Sequence, residues 1–356
     1  MAANACSNYI SYKRLDPAKQ EFRLLELQPS GSISDRVDCR LINVRLTDDL
    51  EFVALSSLYG DASETEIIIV NGRSLAIPKH VAQALRHVRA VFFPNVRRQQ
   101  ERRPVKKTPT WLRNLMNHVG SIFPSAEVED QTPLRIWVDI VCVNQRNESE
   151  TSRQVKNMRQ IYGAAEIVIG WLGEKTENTD AGMGIMSEIE ETMPPNWGDP
   201  GDKEKHPEDY APTHAWIKRL SHNWQNGPNG EHYFTLPYWA GAYEFMSRPY
   251  FQRRWILEEI AHAKYPAFLV GDTIVPWKQI LRLNRLMEEI GNSESDAFPS
   301  DMKYMIAEVP LETVYKLLDE FAQRRALDDA KILENTRSSH TAYSLTPSSL
   351  KSSDQG

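Results

Sequence analysis

The chain of 356 residues is long enough to bury a full hydrophobic core, and its 41% hydrophobic and 25% charged residues are ordinary for a globular protein. A net charge of −6 at pH 7 argues against nucleic acid and anionic membranes as partners. Three widely spaced cysteines suggest neither a disulfide framework nor a zinc site, and no signal peptide or membrane span is predicted. We therefore expect a cytoplasmic protein that holds no metal and no cofactor.

The first part of the chain is predicted to be rich in β-strands. Apolar runs indicate strands at residues 21–27, 39–46 and 51–57. A hairpin follows, because Asn71-Gly72 tolerates the positive φ angles of a type I′ turn. Pro78 then opens a helix, since apolar residues recur after it at helical spacing: Val81, Leu85, Val88 and Phe92.

Strands and helices alternate from residue 134 onward. Continuous apolar runs predict strands, buried on both faces of a parallel sheet, at residues 134–143 and 165–173. Helices are predicted at residues 151–162, 180–193, 249–264, 280–290 and 311–333, with a small hairpin at Gly271-Asp272. This order predicts the α/β class, with a mostly parallel, doubly wound sheet that helices flank and that the N-terminal strands and hairpin extend.

Three segments interrupt the predicted domain, which covers residues 1–335. Residues 95–133 are basic and proline-marked at their start, and we predict a surface insertion. Residues 194–240 lack periodicity, which predicts a long loop that is either functional or disordered. Residues 336–356 form a Ser/Thr-rich tail that has too few apolar residues to fold.

Residues 136–173 resemble the signature of the fungal heterokaryon incompatibility (HET) domain nearly throughout. The matching residues are Trp137, Asp139, Cys142, Asn144, Gln145, Glu150, Gln154, Val155, Met158, Ile161, Tyr162 and Trp171-Leu172-Gly173. Two weaker blocks, at residues 54–61 and 248–263, follow the family pattern in the right order. The chain departs from that pattern at Ser57, Tyr59, Tyr250 and Glu258, where the family usually has Tyr, Trp, Trp and Gln.

HET domains are similar to TIR domains, some of which cleave NAD⁺. The resemblance therefore implies a TIR-like fold with NAD⁺ as a substrate rather than a cofactor. The catalytic glutamate of those TIR enzymes lies four residues after a tryptophan on a helix, a spacing that Trp255 and Glu259 share. This implies Glu259 as the catalytic carboxylate and Trp255 as a wall of the pocket. The alternative is a surface carboxylate, or one that forms a salt bridge with Arg253 or Arg254.

Two polar clusters follow predicted strands. The first contains Ser56, Tyr59, Gly60 and Asp61, and the second contains Asp139, Asn144 and Gln145. Because ligands of open α/β sheets bind outside the carboxyl ends of strands, we predict that these residues bind the substrate. The alternative is that they only cap and turn the chain. Asp139 would lie inside a buried strand, where an unpaired charge is costly, so it needs a partner.

Three functions stay open on the sequence alone. The first is an effector of fungal self/non-self recognition that hydrolyses NAD⁺ when assembled and triggers programmed cell death. The second is a non-catalytic signalling module that self-associates or binds a signalling partner. The third is a small-molecule enzyme of fungal secondary metabolism on a diverged HET scaffold, which the altered pocket residues favour.

Overall fold

The described part of the molecule is built on a single mixed β-sheet. The computed structural model describes residues 10–46, 51–58, 60–61, 63–92, 134–224, 235–253, 256–309, 316 and 318–327. The strands within these ranges are β1 Glu21–Leu27, β2 Asp38–Arg45, β3 Val53–Ser57, β4 Thr65–Val70, β5 Arg73–Pro78, β6 Leu134–Trp137, β7 Ile167–Gly173, β8 Pro266–Val270 and β9 Thr273–Pro276. They lie side by side in the order β5-β4-β2-β1-β6-β3-β7-β8-β9.

The centre of the sheet is parallel and its flanks are largely antiparallel. Strands β6, β3, β7 and β8 run parallel to one another, and β2 and β4 form a further parallel pair. The pairs β1–β2, β1–β6, β4–β5 and β8–β9 are antiparallel. The predicted α/β class is confirmed, but the sheet is mixed rather than mostly parallel. Two of the antiparallel pairs, β4–β5 and β8–β9, are hairpins, and short hairpin turns can join only antiparallel strands.

Helices cover both faces of this sheet. They are α1 Lys79–Phe92, α2 Asp139–Cys142, α3 Glu148–Ala164, α4 Thr179–Thr192, α5 Asp202–Lys205, α6 Ala215–Arg219, α7 Pro237–Met246, α8 Ile256–Ala261, α9 Trp277–Asn292 and α10 Ser300–Glu308. Short 3-10 helices lie at Pro17–Lys19, Pro207–Tyr210, Ser221–Trp224 and Pro249–Gln252. In the described ranges, none of the helices has the length and apolarity needed to cross a bilayer.

Several local predictions are confirmed. Asn71 and Gly72 have φ angles of 52° and 73°, as the hairpin between β4 and β5 requires. Of the predicted inward residues of α1, Val81, Leu85 and Val88 are buried and Phe92 is partly buried. Those of α9 are buried as well: Ile280, Leu283, Met287 and Ile290. Turn type and helical periodicity depend on residues that are close together in the sequence, so they can be predicted from it.

The apolar run 134–143 was predicted as one strand, and this is wrong. Strand β6 ends at Trp137, and the short helix α2 begins at Asp139, with the Cys142 amide donating to the Val138 carbonyl at 2.8 Å. Asp139 therefore lies at a helix start rather than inside a strand. A short apolar run does not distinguish a buried strand from a buried turn of helix.

Two helix boundaries also differ from the predictions. Helix α3 begins at Glu148, where the Asn147 side chain caps it, and Val155, which was expected to face inward, is 48% exposed. The single helix predicted at 249–264 is a 3-10 turn at Pro249–Gln252 followed by α8. Arg253, between the two, has extended backbone with ψ of 135°.

Residues 194–240 were predicted to be an irregular loop, but their described part contains α5, α6, the start of α7 and two 3-10 helices. Four of its tryptophans are buried: Trp197, Trp216, Trp224 and Trp239. Helices of four or five residues are too short to produce a periodic pattern, so the sequence did not indicate them. The predicted insertion 95–133 and tail 336–356 lie outside the described residues, and of the predicted helix 311–333 residues 318–327 are helical.

Consecutive residues of β7 show what lies on each face of the sheet. Trp171 stacks on His87 of α1 with ring centroids 5.0 Å apart. Gly170 faces Tyr250, so closely that a Cβ atom at position 170 would lie 2.7 Å from the phenol oxygen. Because successive side chains of a strand point to opposite faces, α1 and Tyr250 lie on opposite sides of the sheet.

Helices α4 and α7 cross at glycines, which brings their backbones into contact. A Cβ atom at Gly182 would lie 2.6 Å from the Ala242 nitrogen, and one at Gly241 would lie 2.8 Å from the Gly182 nitrogen. Helix α7 leads directly into the turn that carries Tyr250. This crossing therefore determines where the Tyr250 ring meets the sheet.

We predict that Gly182→Ala destabilises the fold by about 3 kcal/mol, since the new methyl group can be accommodated only if two backbones separate. Gly184→Ala on the same helix is the matched control, because no atom lies within 4 Å of its added Cβ. That control should be as stable as the wild type or more so, given the higher helix propensity of alanine. Urea unfolding measures both. Equal denaturation midpoints for Gly182→Ala and the wild type would contradict the prediction.

Candidate active site

A cavity opens where the chain leaves two neighbouring parallel strands for helices on opposite faces. After β3 the chain continues through the hairpin to α1, and after β6 it continues through α2 to α3. Tyr162 of α3 and Glu259 of α8 lie on the Tyr250 side of the sheet. The cavity has a volume of about 360 Å³. Its lining residues are Asp139, Val143, Gln145, Thr151, Gln154, Val155, Met158, Arg159, Tyr162, Arg253 and Glu259.

The carboxyl group of Glu259 lies at the buried base of this cavity, where it is 6% exposed. The Ser56 hydroxyl of β3 donates to its Oε2 atom, and the Tyr250 hydroxyl lies 2.6 Å from the Ser56 Oγ atom. The guanidinium of Arg253 approaches both carboxylate oxygens at 3.4 Å and also contacts Ser56. The alternative that Glu259 pairs with Arg253 is therefore realised, within a larger polar cluster.

The pKa of Glu259 is raised above its ordinary value of 4.5. Burial is the main cause, because it disfavours the charged carboxylate. Arg253 and the Ser56 hydrogen bond lower the pKa again, while the nearby Asp139 charge raises it further. The cavity thus contains the partly desolvated carboxyl group of Glu259, and Asp139 lies close enough to raise its pKa.

An ion pair between β1 and α3 holds the loop that supplies Asp139 and Gln145. Arg23 of β1 is 1% exposed, and it binds Glu150 of α3 through both nitrogens, at 2.5 and 3.1 Å. Arg23 also donates to the Cys142 carbonyl at 3.1 Å, and Glu150 accepts from the Asn144 amide at 2.8 Å. Two backbone groups of the loop are therefore tied to one buried ion pair.

The electrostatics of Glu150 are opposite to those of Glu259. Burial by itself would raise the pKa of Glu150, but the hydrogen bonds from Arg23 and from the Asn144 amide outweigh it and lower the pKa below 4.5. Glu150 is therefore a structural carboxylate that stays ionised. At Glu259 burial outweighs the hydrogen bonds and raises the pKa, a pattern that is common for carboxyl groups at functional sites.

The cavity has a buried base and an exposed rim. Tyr162 and Glu259 are buried, whereas Gln145, Val155 and Arg159 are exposed. A small molecule can therefore reach the base from solvent, passing an arginine on the way. Across the described ranges, no three His, Cys, Asp or Glu side chains converge as a metal site.

The cavity unites residues from both predicted clusters, but not all of them. Asp139, Gln145 and Glu259 line it, and Ser56 lies directly behind Glu259. Asn144 instead supports the loop, since its side chain accepts from the Arg146 amide at 3.2 Å.

Gly60 and Asp61, also predicted as site residues, do not line this cavity. Gly60 and Asp61 line a second hollow of about 230 Å³ beside His80 of α1. Gly60 has a φ of 68°, and a Cβ atom there would lie 3.1 Å from that of His80, so the backbone conformation and the packing of α1 both favour glycine. Tyr59 and Trp255 lie outside the described residues.

Three residues of the site were not singled out from the sequence as site residues. In the sequence, Tyr250 stands out only as a departure from the family pattern and Arg253 only as a possible partner of Glu259, while no sequence feature points to Arg159. Tyr162 was expected to face inward as a core residue, and it is buried with its ring 5.1 Å from that of Trp137. A sequence signal for Tyr250 existed in Pro249, which begins the turn that carries it.

We predict that Glu259→Gln becomes more stable relative to the wild type as pH rises. Above about 4.5 the unfolded carboxyl ionises while the folded one still holds its proton, so the wild type loses stability up to the raised pKa of Glu259. Glutamine does not titrate. The difference in melting temperature between the two proteins, measured from pH 4.5 to 9, should therefore grow with pH and then level off.

Glu150→Gln is the control, because its stability difference from the wild type should change with pH in the opposite direction. The pKa of Glu150 is lowered in the folded state, so the wild type gains stability over this variant as pH rises towards 4.5 and keeps that gain above it. A pH-independent difference for Glu259→Gln would mean that the Glu259 carboxyl is solvated.

Comparison with known proteins agrees with the sequence motifs. Residues 126–259 match the family described as Heterokaryon incompatibility protein (HET). A Neurospora crassa protein named "Heterokaryon incompatibility protein 6, OR allele" is 25% identical over 303 residues, which cover 81% of this chain and 38% of the relative. The chain thus spans well under half the length of that relative. No solved structure matches the chain at a significant level. The matched segment contains the loop and helices that line the cavity, and this part of the chain is similar to the heterokaryon incompatibility (HET) family.

Proposed function

We propose that this chain is an effector of heterokaryon incompatibility and that it acts by hydrolysing the nicotinamide–ribose bond of NAD⁺ in the cavity above Glu259. The incompatibility role is supported by the family match and by the name of the Neurospora relative. The catalytic part is supported by one observation above all. Glu259 is a buried carboxyl group with hydrogen-bond donors around it, at the base of a cavity that opens to solvent.

The chemistry requires a negative charge that is positioned before the reaction begins. The bond between the ribose C1′ carbon and the nicotinamide nitrogen breaks, and its electron pair leaves with neutral nicotinamide. The ribosyl carbon becomes oxocarbenium-like, as in glycoside hydrolysis. Water adds to that carbon and releases a proton. A carboxylate in a partly desolvated site stabilises the developing cation more strongly than the same group in water.

Other lining residues suit the remaining parts of such a substrate. Asp139, whose charge reaches Glu259, is a second carboxylate that can orient or deprotonate the attacking water. The Tyr162 ring provides an aromatic surface at the base. Arg159 on the exposed rim can bind a phosphate group. A volume of about 360 Å³ suits the nicotinamide–ribose half, with the diphosphate crossing the rim.

We predict that the purified protein, incubated with NAD⁺, releases free nicotinamide and that Glu259→Gln lowers the rate by a factor of about 10² or more. Chromatography of nicotinamide against time measures both rates. The variant should remain folded, because glutamine keeps the size of the side chain and its capacity for hydrogen bonds.

Glu190→Gln provides a matched control. Glu190 is another carboxyl group whose pKa is raised by burial, and it binds Arg282 at 2.6 Å away from the cavity lining. Its replacement should leave the cleavage rate within about twofold of the wild type. If the wild type releases no nicotinamide even at high protein concentration, the enzymatic proposal fails. A self-associating module or an enzyme with a different small-molecule substrate would then take its place.

A further inference from the structure

Three buried side chains are linked by hydrogen bonds from the interior of the protein to the cavity. Tyr250 is fully buried, Ser56 is 1% exposed and Glu259 is 6% exposed. The Tyr250 hydroxyl lies 2.6 Å from the Ser56 Oγ atom, which in turn contacts the Glu259 Oε2 atom. Gly170 makes room for the phenol, since any Cβ atom there would lie 2.7 Å from the Tyr250 oxygen. The sheet is therefore shaped to bring a phenol hydroxyl to Ser56.

The number of hydrogen atoms on these groups determines which of them donates and which accepts in this series of hydrogen bonds. A carboxylate only accepts hydrogen bonds, so when Glu259 is ionised Ser56 must give its single hydrogen to Glu259. The Ser56 oxygen then accepts from Tyr250. Burial and the neighbouring Glu259 charge raise the pKa of Tyr250, so the phenol keeps the hydrogen that it donates.

Protonation of Glu259 disturbs this order. With its proton on Oε2, the carboxylic acid would donate to Ser56, whose own hydrogen would then point towards Tyr250. A proton on Oε1 would instead face the Arg253 guanidinium, which is itself a donor. In the part of the chain that the structure describes, Ser56 is the hydrogen-bond partner of the Tyr250 hydroxyl, so the phenol hydrogen would lose its acceptor. Leaving a buried donor without a partner is unfavourable. The arrangement therefore favours the ionised form of Glu259.

We propose that Tyr250, acting through Ser56, is a positioning residue that keeps the Glu259 carboxyl ionised and in one orientation at the base of the cavity. Its catalytic consequence depends on the function proposed above, whereas its effect on Glu259 does not. Arg253 is a weaker support for the same charge, since its contacts of 3.4 Å with both oxygens are long for hydrogen bonds. Aligned hydroxyls polarise one another, so the phenol strengthens the bond that Ser56 donates.

The test is Tyr250→Phe, which removes the hydroxyl and keeps the ring against Phe251 and Phe268. The protein is labelled with ¹³C at the glutamate carboxyl groups, and their NMR signals are followed against pH. The Glu259 signal is assigned by its absence in Glu259→Gln. We expect Tyr250→Phe to raise the titration midpoint of Glu259 by about 0.5 to 1 pH unit, the scale of one lost hydrogen bond in the network.

Two further variants make the outcome decisive. Ser56→Ala removes the direct donor and should raise the midpoint at least as much, so it tests this series of hydrogen bonds even if Tyr250→Phe does not fold. Tyr210→Phe removes a phenol hydroxyl that binds Asp202 at 3.0 Å, away from the cavity, and should leave the Glu259 midpoint unchanged. Unchanged midpoints in both Tyr250→Phe and Ser56→Ala would overturn the proposal and leave Tyr250 a packing residue.

The titration needs no substrate, so it separates this proposal from the proposed enzymatic function. If NAD⁺ is not cleaved but the midpoint rises, the enzymatic function fails while the assignment of Tyr250 is supported. If NAD⁺ is cleaved, the acid limb of the kcat profile should move upward in Tyr250→Phe by the same amount as the midpoint. A loss of kcat at every pH, without that movement, would contradict the proposed role.

Discussion

The buried ion pair between Arg23 and Glu150 is the interaction on which one wall of the cavity depends. It joins strand β1 to the start of helix α3, and it holds the loop between them through the Cys142 carbonyl and the Asn144 amide. Arg23 also binds the Lys13 carbonyl at 2.7 Å, so the segment before β1 meets the same pair. Removing either partner of such a pair leaves a buried charge, at a cost of about 3 to 5 kcal/mol. The position of Asp139 and Gln145 therefore depends on residues that never touch the cavity.

The opposite wall depends on the sheet itself. Ser56 points from β3 towards Glu259, and the missing side chain of Gly170 on the neighbouring strand admits Tyr250 beside it. The result is a carboxyl group removed from water but supplied with donors. Such a group lowers the stability of the protein above its pKa, and proteins commonly keep this kind of local cost at functional sites. At Glu150, by contrast, hydrogen bonds from Arg23 and the Asn144 amide outweigh burial and lower the pKa.

Much of the fold could be predicted from the sequence because it is encoded locally. The Asn71-Gly72 turn, the apolar stripes of α1 and α9 and the buried strand β7 depend on neighbouring residues in the chain. The failures share a different cause. Residues 134–143 and 249–264 have apolar or helical composition, but contacts with distant elements divide them: α2 turns at Asp139, and Arg253 takes extended backbone beside Glu259. A local sequence pattern does not indicate contacts with elements that are distant in the sequence.

For the site, the sequence by itself determined the family motif, the candidate Glu259 and the two polar clusters that follow strand ends. The family comparison agrees with the motif. Only the tertiary structure decided which of those residues meet. It brings Asp139, Gln145 and Glu259 to one cavity, leaves Gly60 and Asp61 at another, and adds Tyr250, which lies 194 positions from its partner Ser56. The physical reason is that a buried hydrogen bond depends on the packing of strands and helices distant in sequence, whereas turns and periodicity depend on residues only a few positions apart.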